Sequence, residues 1–375
     1  MKVMHVISWL SLGGAEQVAI DLSLGMRERG LGPCIVPLLT PPTALQPISL
    51  DMRERLRAGN VRVVEMRGAG GLRIGMLSSV PRLAAFLARE PFDIIHTHGD
   101  HADLSVSVAT RFLKLRVART IHNVALWPGR SRLGRFVERG FNQDLVLGVS
   151  EEALQAHRDL RSGFGLPVSS HARVITNGVP RVEPAARPAD VGARIRLAFF
   201  GRAAHQKGLD LLLAAAERLV GIDADYELVI HSDLAGDRSG QAQVARLGTR
   251  VKLVPPAVNA RALMGAFDVV VMPSRWEGMP LVALESFRTG TPVLAALSPG
   301  LREALPAGWP LTVPKEDVAA LADMLEAIVT SRIDVKGLRL SAQIHGERFG
   351  VDRMVDRYIA AYDDYRSVLT AVNPS

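Results

Sequence analysis

Twice in this chain an apolar run is followed by a glycine turn and an amphipathic helix, and each time strands and helices then continue in alternation. Residues 3–8 read as a buried strand, and Gly13 and Gly14 make the turn. Val18, Ile20, Leu22, Leu24 and Met26 supply the apolar face of a helix that Gly30 ends. Strands are expected at 35–39, 61–65, 93–96, 117–121 and 145–149, with a helix around 80–88. The second half restarts with a strand at 195–200, a turn at Gly201 and a helix at 209–219. Strands at 226–230, 251–253, 269–272 and 292–295 follow. Continuous apolar strands separated by helices require parallel sheets covered on both faces.

The expected fold is therefore α/β, with two doubly wound, Rossmann-like domains. At 375 residues each domain can bury its own core. The expected division is 1–180 and 181–352, with a helix at 353–375 crossing back onto the first domain. Pro180, Pro184 and Pro188 mark the linker. Doubly wound sheets bind ligands outside the carboxyl ends of their strands, so the site is expected in a cleft between facing domains.

Composition narrows the function. With 48% hydrophobic and 22% charged residues, the chain is not disordered. No apolar run reaches the ~18–20 residues that span a bilayer. The opening apolar stretch, broken by His5 and Ser8 and running into Gly13 and Gly14, reads as strand and turn rather than signal peptide. A single Cys34 excludes an internal disulfide framework and fits a reducing cytoplasm. Aromatics are 5% and no nucleic-acid-binding motif appears, so the basic pI does not point to nucleic acid. All of the net charge of +7 lies in residues 1–180, with 22 basic and 15 acidic side chains, while residues 181–375 carry 23 of each. The first half is thus the one expected to meet an anionic surface.

The segment 273–285 carries the strongest chemical signal. It follows an apolar strand and opens a helix, with Glu277 in the turn and Glu285 ~10 Å further along the axis. Two carboxylates so spaced suit a ligand with hydroxyls at both ends. The free N–H groups near Gly278, Met279, Pro280 and Leu281 suit a phosphate between them. In the turn 201–208, Arg202 and Lys207 can reach one anionic group, and Lys207 is one of only six lysines. Gly13 and Gly14 let backbone N–H groups approach a diphosphate, without the spacing of a dinucleotide fingerprint. His96, His98 and His101 fall at and after a strand end, and His122 after the next. A metal reading of the first three with Asp100 or Asp103 is set aside for His122 as a ligand-facing group.

Gly13-Gly14-Ala15-Glu16, Thr120-Ile121-His122, Asn177-Gly178-Val179, Gly201-Arg202 with Gln206-Lys207-Gly208, and Glu277 through Glu285 occur in this order. Together they resemble family four of the retaining GT-B glycosyltransferases, over essentially the whole chain. The resemblance implies a metal-independent hexosyltransferase that needs no cofactor beyond its nucleotide-sugar donor, a UDP-sugar by preference. It implies that Arg202 and Lys207 hold the donor diphosphate, Glu277 the sugar hydroxyls and Glu285 the ribose. It also implies that Gly14 approaches donor and acceptor, and that His122 stands beside the reacting face of the sugar. A nucleotide-sugar 2-epimerase of the same fold is the alternative. One departure is His231-Ser232-Asp233, where similar proteins carry a Gly-x-Gly loop near the nucleotide.

The acceptor is expected on the basic first domain, with His98 and Arg130 joining Gly14 and His122. Arg130, Arg132, Arg135 and Arg139 interleave with Leu133, Phe136, Val137 and Phe141 as a basic amphipathic helix, and Arg53, Arg55 and Arg57 form a second patch. These point to a glycan or lipid-linked acceptor of cell-envelope polysaccharide synthesis. They also point to peripheral attachment at the inner face of the cytoplasmic membrane.

Overall fold

The computed structural model describes residues 1–372 apart from 12, 44–45, 69–71, 111–114, 142–143, 187–193, 235–236 and 258. The chain forms two compact units, Met1–Gly178 with Val351–Ser375, and Val179–Gly350. Val179 bridges to Gly350, so the two crossings between units lie side by side. The proline stretch is packed where it is described: Ala185 N–H donates to Ala262 O at 2.8 Å. Pro188 lies outside the described residues.

The first unit runs β1 (Lys2–Ile7), α1 (Gly14–Glu28), β2 (Gly32–Pro37), α2 (Gln46–Ala58), β3 (Arg62–Val63), α3 (Leu72–Arg89), β4 (Ile94–His98), α4 (Asp100–Ala109), β5 (Val117–Ile121), α5 (Ser131–Glu138), β6 (Leu145–Gly148), α6 (Glu151–Gly163) and β7 (Ala172–Val174). The second runs β8 (Ile195–Phe200), α7 (Leu209–Ala216), β9 (Tyr226–His231), α8 (Arg238–Arg246), β10 (Val251–Val254), α9 (Ala260–Leu263), β11 (Val269–Met272), α10 (Leu281–Arg288), β12 (Val293–Ala296), β13 (Thr312–Val313), α11 (Val318–Val329) and α12 (Arg339–Gly346). The chain closes with α13 (Val351–Val372), which returns to the first unit and packs on α1.

Both sheets are parallel, in the orders β3-β2-β1-β4-β5-β6-β7 and β10-β9-β8-β11-β12-β13. Alternation on β1 and β2 divides two buried clusters: Met4, Val6, Cys34 and Val36 join one, Ile7 and Ile35 the other. The strand order reverses between β1 and β4 in one sheet and between β8 and β11 in the other. At these two points neighbouring connections run to opposite faces and open a crevice at the strand ends.

Several boundaries differ from the sequence reading for identifiable reasons. The helix expected around 80–88 starts earlier and carries Pro81 inside it. The helix expected at 209–219 ends at Ala216 and tightens into a 3-10 turn at Glu217–Leu219. β9 continues to His231, because that residue pairs with Phe200 on one side and Val254 on the other. Ser150 caps α6 by accepting from Ala153 N–H at 3.0 Å, as a residue at that position should.

The basic helix α5 uses its apolar side within the protein. Val137 and Phe141 belong to the core, and Leu133 packs against it. Gly134 lies against the Trp127 ring so closely that a β-carbon would meet it at 2.6 Å. The exposed side keeps Arg132, Arg135, Phe136 and Arg139. The apolar face is therefore not available to lipid, and Phe136 is the large apolar group this helix leaves exposed.

Candidate functional site

In the second unit the turns after β8 and β11 are stitched to each other across the point where the strand order reverses. Arg275 N–H donates to Gln206 O at 2.8 Å, and the Gln206 side chain donates to Trp276 O at 3.0 Å. The Arg275 guanidinium holds His205 O and the Asp210 carboxylate at 2.6–2.8 Å, and also reaches Glu316. Gly208 sits at φ +66°, where a β-carbon would meet Pro273 O at 2.1 Å, so only glycine fits between the turns.

Lys207 and Glu277 meet at this seam. The Lys207 ammonium lies 2.7 Å from Glu277 Oε1, and Ser274 Oγ donates to the same oxygen at 2.8 Å. Glu277 is 4% exposed, and Glu277 N–H donates to Pro299 O at 2.9 Å. Behind it, Gly300 at φ +74° lies against the carbonyls of Glu277 and Gly278. Among the described residues, both of these side-chain bonds fall on Oε1. Gly278, Met279 and Pro280 then lead into α10, whose first residue is Leu281; the first N–H groups of a helix have no partner within it, and Pro280 carries none. Arg202 is exposed at the start of the other turn.

Glu285, five residues into α10, is buried and accepts from Arg261 Nε at 2.6 Å. The structure thus ties this carboxylate to a cation on α9, a partner that the sequence reading did not name. At the neighbouring strand ends, the Ser232 and Ser298 hydroxyls are buried with no partner among the described residues. Buried hydroxyls left unpaired at a ligand-binding edge are the groups a bound molecule would satisfy. The His231 ring stacks on Phe200 with centroids 4.5 Å apart.

In the first unit the corresponding edge is histidine-rich. His5 on β1 pairs in register with His96 on β4, and His98 with Thr120 on β5. These side chains share one sheet face, which α13 covers with Tyr358 and Tyr362. Tyr362 OH lies 2.5 Å from His96 Nδ1, and Thr120 Oγ1 lies 2.7 Å from His96 Nε2 and 3.1 Å from Tyr358 OH. His98 lies 3.1 Å from His5 and 3.0 Å from His122 through opposite ring nitrogens. Burial lowers the pKa of His5 and His122 to about 3, and holds His96 and His98 well below the usual range. His5 and the two tyrosines were missed as partners: His5 reads in the sequence as an interruption, and the tyrosines as helix periodicity.

The remaining candidates are nearby in chain but differently engaged. Gly13 caps α1, and the Glu16 carboxylate folds back over it. Gly14 is the first residue of α1. Arg130 caps α5 and lies 3.4 Å from His101, which lies 3.5 Å from Ser8. Asp103 is committed to Arg119 at 2.8 Å. Asp100 accepts from Trp127 N–H at 3.2 Å, and burial, with the charge of Asp103, pushes its carboxyl up to about 6.

Both halves of the chain match known families. Residues 12–183 match the family model for Glycosyltransferase Family 4, and residues 194–331 that for Glycosyl transferases group 1. The D-inositol 3-phosphate glycosyltransferase 1 of Catenulispora acidiphila is 33% identical over 180 residues, a match covering 44% of this chain and 43% of that one. The GDP-mannose:cellobiosyl-diphosphopolyprenol alpha-mannosyltransferase of Xanthomonas oryzae pv. oryzae is 26% identical over 97% of each chain. The crystal structure of Anabaena Alr3699/HepE in complex with UDP and glucose has a TM-score of 0.79 at 19% identity, covering 97% of this chain and 100% of that one. That likeness is one of fold, the two-domain α/β arrangement called GT-B. With both halves matched in order over most of its length, the chain belongs to the group 1, family 4 glycosyltransferases and transfers sugars.

Proposed function

We propose that the chain moves a hexose from a nucleoside diphosphate sugar, a UDP-sugar by preference, to a lipid-linked or surface-polysaccharide acceptor. In this reading the transfer retains the anomeric configuration and needs no metal ion. The observation that carries it is the Lys207–Glu277 pair at the reversal point of the second sheet. As the sugar leaves, negative charge grows on the departing phosphate. Lys207, Arg202 and the N–H groups before α10 stabilise that charge in the way a divalent cation does elsewhere. Glu277 orients the sugar hydroxyls. The leaving phosphate oxygen takes the acceptor proton, with attack on the same face.

Support for the donor class comes from relatives of two kinds. The Xanthomonas enzyme is named for GDP-mannose and a cellobiosyl-diphosphopolyprenol, and the Anabaena structure holds UDP and glucose. In the test, the chain is incubated with UDP-glucose or GDP-mannose and a polyprenyl-diphosphate-linked sugar, with EDTA present. The expected result is sugar in the lipid phase and free nucleoside diphosphate from one donor. A C2-epimerised nucleotide sugar formed without acceptor would contradict the reading.

Glu285→Ala should weaken nucleoside diphosphate binding about tenfold, measured by calorimetry, because the ribose loses a buried acceptor. Unchanged affinity would remove Glu285 from the ribose site and leave it as the partner of Arg261.

No helix among the described residues is long and apolar enough to cross a membrane. Membrane contact at the inner face of the cytoplasmic membrane is therefore proposed as electrostatic, through Arg132, Arg135 and Arg139 around Phe136. The chain should float with anionic vesicles at low salt and be released at high salt. Failure to bind at low salt would end that reading.

A further inference from the structure

We propose that His5 and His98 are positioning residues that hold His122 in a single tautomer, with its proton on Nδ1. His98 is engaged through both ring nitrogens: Nε2 lies 3.1 Å from His5 Nδ1, and Nδ1 lies 3.0 Å from His122 Nε2. A neutral imidazole has one N–H and one lone pair. Each nitrogen-to-nitrogen bond needs one of each, so both bonds must run in the same direction. Only two arrangements satisfy this.

In the first, all three rings are protonated on Nδ1. His5 donates to His98, His98 donates to His122, and His5 Nε2 is left as a bare lone pair. In the second, all three are protonated on Nε2, and His5 Nε2–H is left pointing into the core. His5 Nε2 is buried and has no partner among the described residues. A buried N–H without an acceptor is rarer and costlier than an under-used acceptor, so the first arrangement is favoured. Burial keeps these rings neutral, which removes doubly protonated alternatives.

The ring of His98 is also held from the side. His96 lies against it with centroids 4.1 Å apart, and Tyr362 and Thr120 fix His96 through its two nitrogens. The relay therefore has a fixed inner end at His5 and a half-buried outer end at His122. His122 then presents an N–H donor from Nδ1, with its Nε2 lone pair already used. Together with the proposed function above, on which this step rests, His122 donates to an oxygen of the sugar or acceptor and does not remove a proton.

The test is a long-range 1H–15N correlation spectrum of the full chain labelled with 15N-histidine, assigned with single histidine variants. The expected result is protonation on Nδ1 of His5, His98 and His122. Protonation of His122 on Nε2 would overturn the proposal. Kinetics gives a second reading. An asparagine amide places its nitrogen near the position of a histidine Nδ1 and keeps the donor to His98. His5→Asn should therefore keep kcat within about threefold, whereas His5→Leu should lower it about tenfold or more with donor KM unchanged. A packing role for His5 predicts the reverse order, and that order would also overturn the proposal. The tautomer spectrum needs no turnover. Nδ1 protonation in a chain that transfers no sugar would uphold the relay while refuting the proposed function. Nε2 protonation in an active enzyme would do the opposite.

Discussion

Replacing Lys207 with alanine is expected to lower kcat about a hundredfold, with a smaller change in donor KM. The ammonium is partly shielded, its side chain 19% exposed, and it lies against a carboxylate that is more buried still. Shielding strengthens its field on a departing phosphate, because water at that point would otherwise screen the charge. The substitution should leave the fold in place. The turn keeps its bonds from Arg275 to Gln206 and from Gln206 to Trp276, and Gly208 still fits beneath Pro273. Loss of the cation also leaves the Glu277 carboxylate with Ser274 as its partner among the described residues, so part of the effect comes from a misplaced carboxylate. A double-mutant cycle separates the two. If Lys207 acts on the phosphate, Lys207→Ala remains deleterious in a Glu277→Gln background. If it serves only to hold Glu277, the second substitution adds nothing. Turnover near that of the wild type in the single variant would remove Lys207 from the reaction.

The largest effect on stability is expected at Glu138. This carboxylate is fully buried and accepts from Arg119 at 2.6 and 3.0 Å, Arg161 at 2.9 Å and His157 at 3.2 Å. Arg119 also reaches Asp103 and Asp144 and stacks on Phe141, with 4.4 Å from guanidinium carbon to ring centroid. The network joins α4, β5, α5, α6 and the residue before β6, so it fixes the strand whose end carries His122. Glu138→Ala would leave buried arginines undercompensated, costing about 3–5 kcal/mol. For a unit of this size that is a fall in Tm of about 10 °C. Burial alone would raise the Glu138 pKa, but Arg119 and His157 outweigh it and hold the carboxyl far below the usual range. A depressed carboxylate contributes stability above its unfolded pKa and loses it as pH falls towards the folded value. Wild-type stability should therefore drop on acidification below about pH 4, and Glu138→Gln should flatten that slope. An unchanged Tm in the alanine variant, by calorimetry, would show the network to be dispensable.

The parallel sheets were readable because strands buried on both faces leave unbroken apolar runs, and glycines mark the turns after β1 and β8. The short edge strands β7 and β13 were not, since two or three residues carry no periodic signal. Helix α4 was hidden because its first turn holds Asp100, His101 and Asp103, which read as a polar loop. At the seam of the second unit, Arg202, Lys207, Glu277 and Glu285 were named from the sequence, whereas Asp210, Arg261 and Glu316 were not. The pairing of Lys207 with Glu277 was not legible, because 70 residues separate them and no local pattern encodes a contact between two turns. Arg119 was hidden by composition: among 39 arginines, nothing marks the one that a core of carboxylates surrounds. The basic helix α5 shows the reverse error. Its amphipathic pattern is real, but periodicity does not say whether the apolar side faces a core or a membrane.

The central claim is that the reversal point of the second sheet holds the donor diphosphate through Lys207 and the N–H groups that open α10. A crystal structure of the full chain with a bound nucleoside diphosphate tests it most directly. The account predicts a diphosphate oxygen within about 3 Å of Lys207 Nζ and others at the N–H groups of Gly278 and Leu281. A nucleotide bound with its diphosphate elsewhere, and Lys207 still engaged only with Glu277, would contradict it.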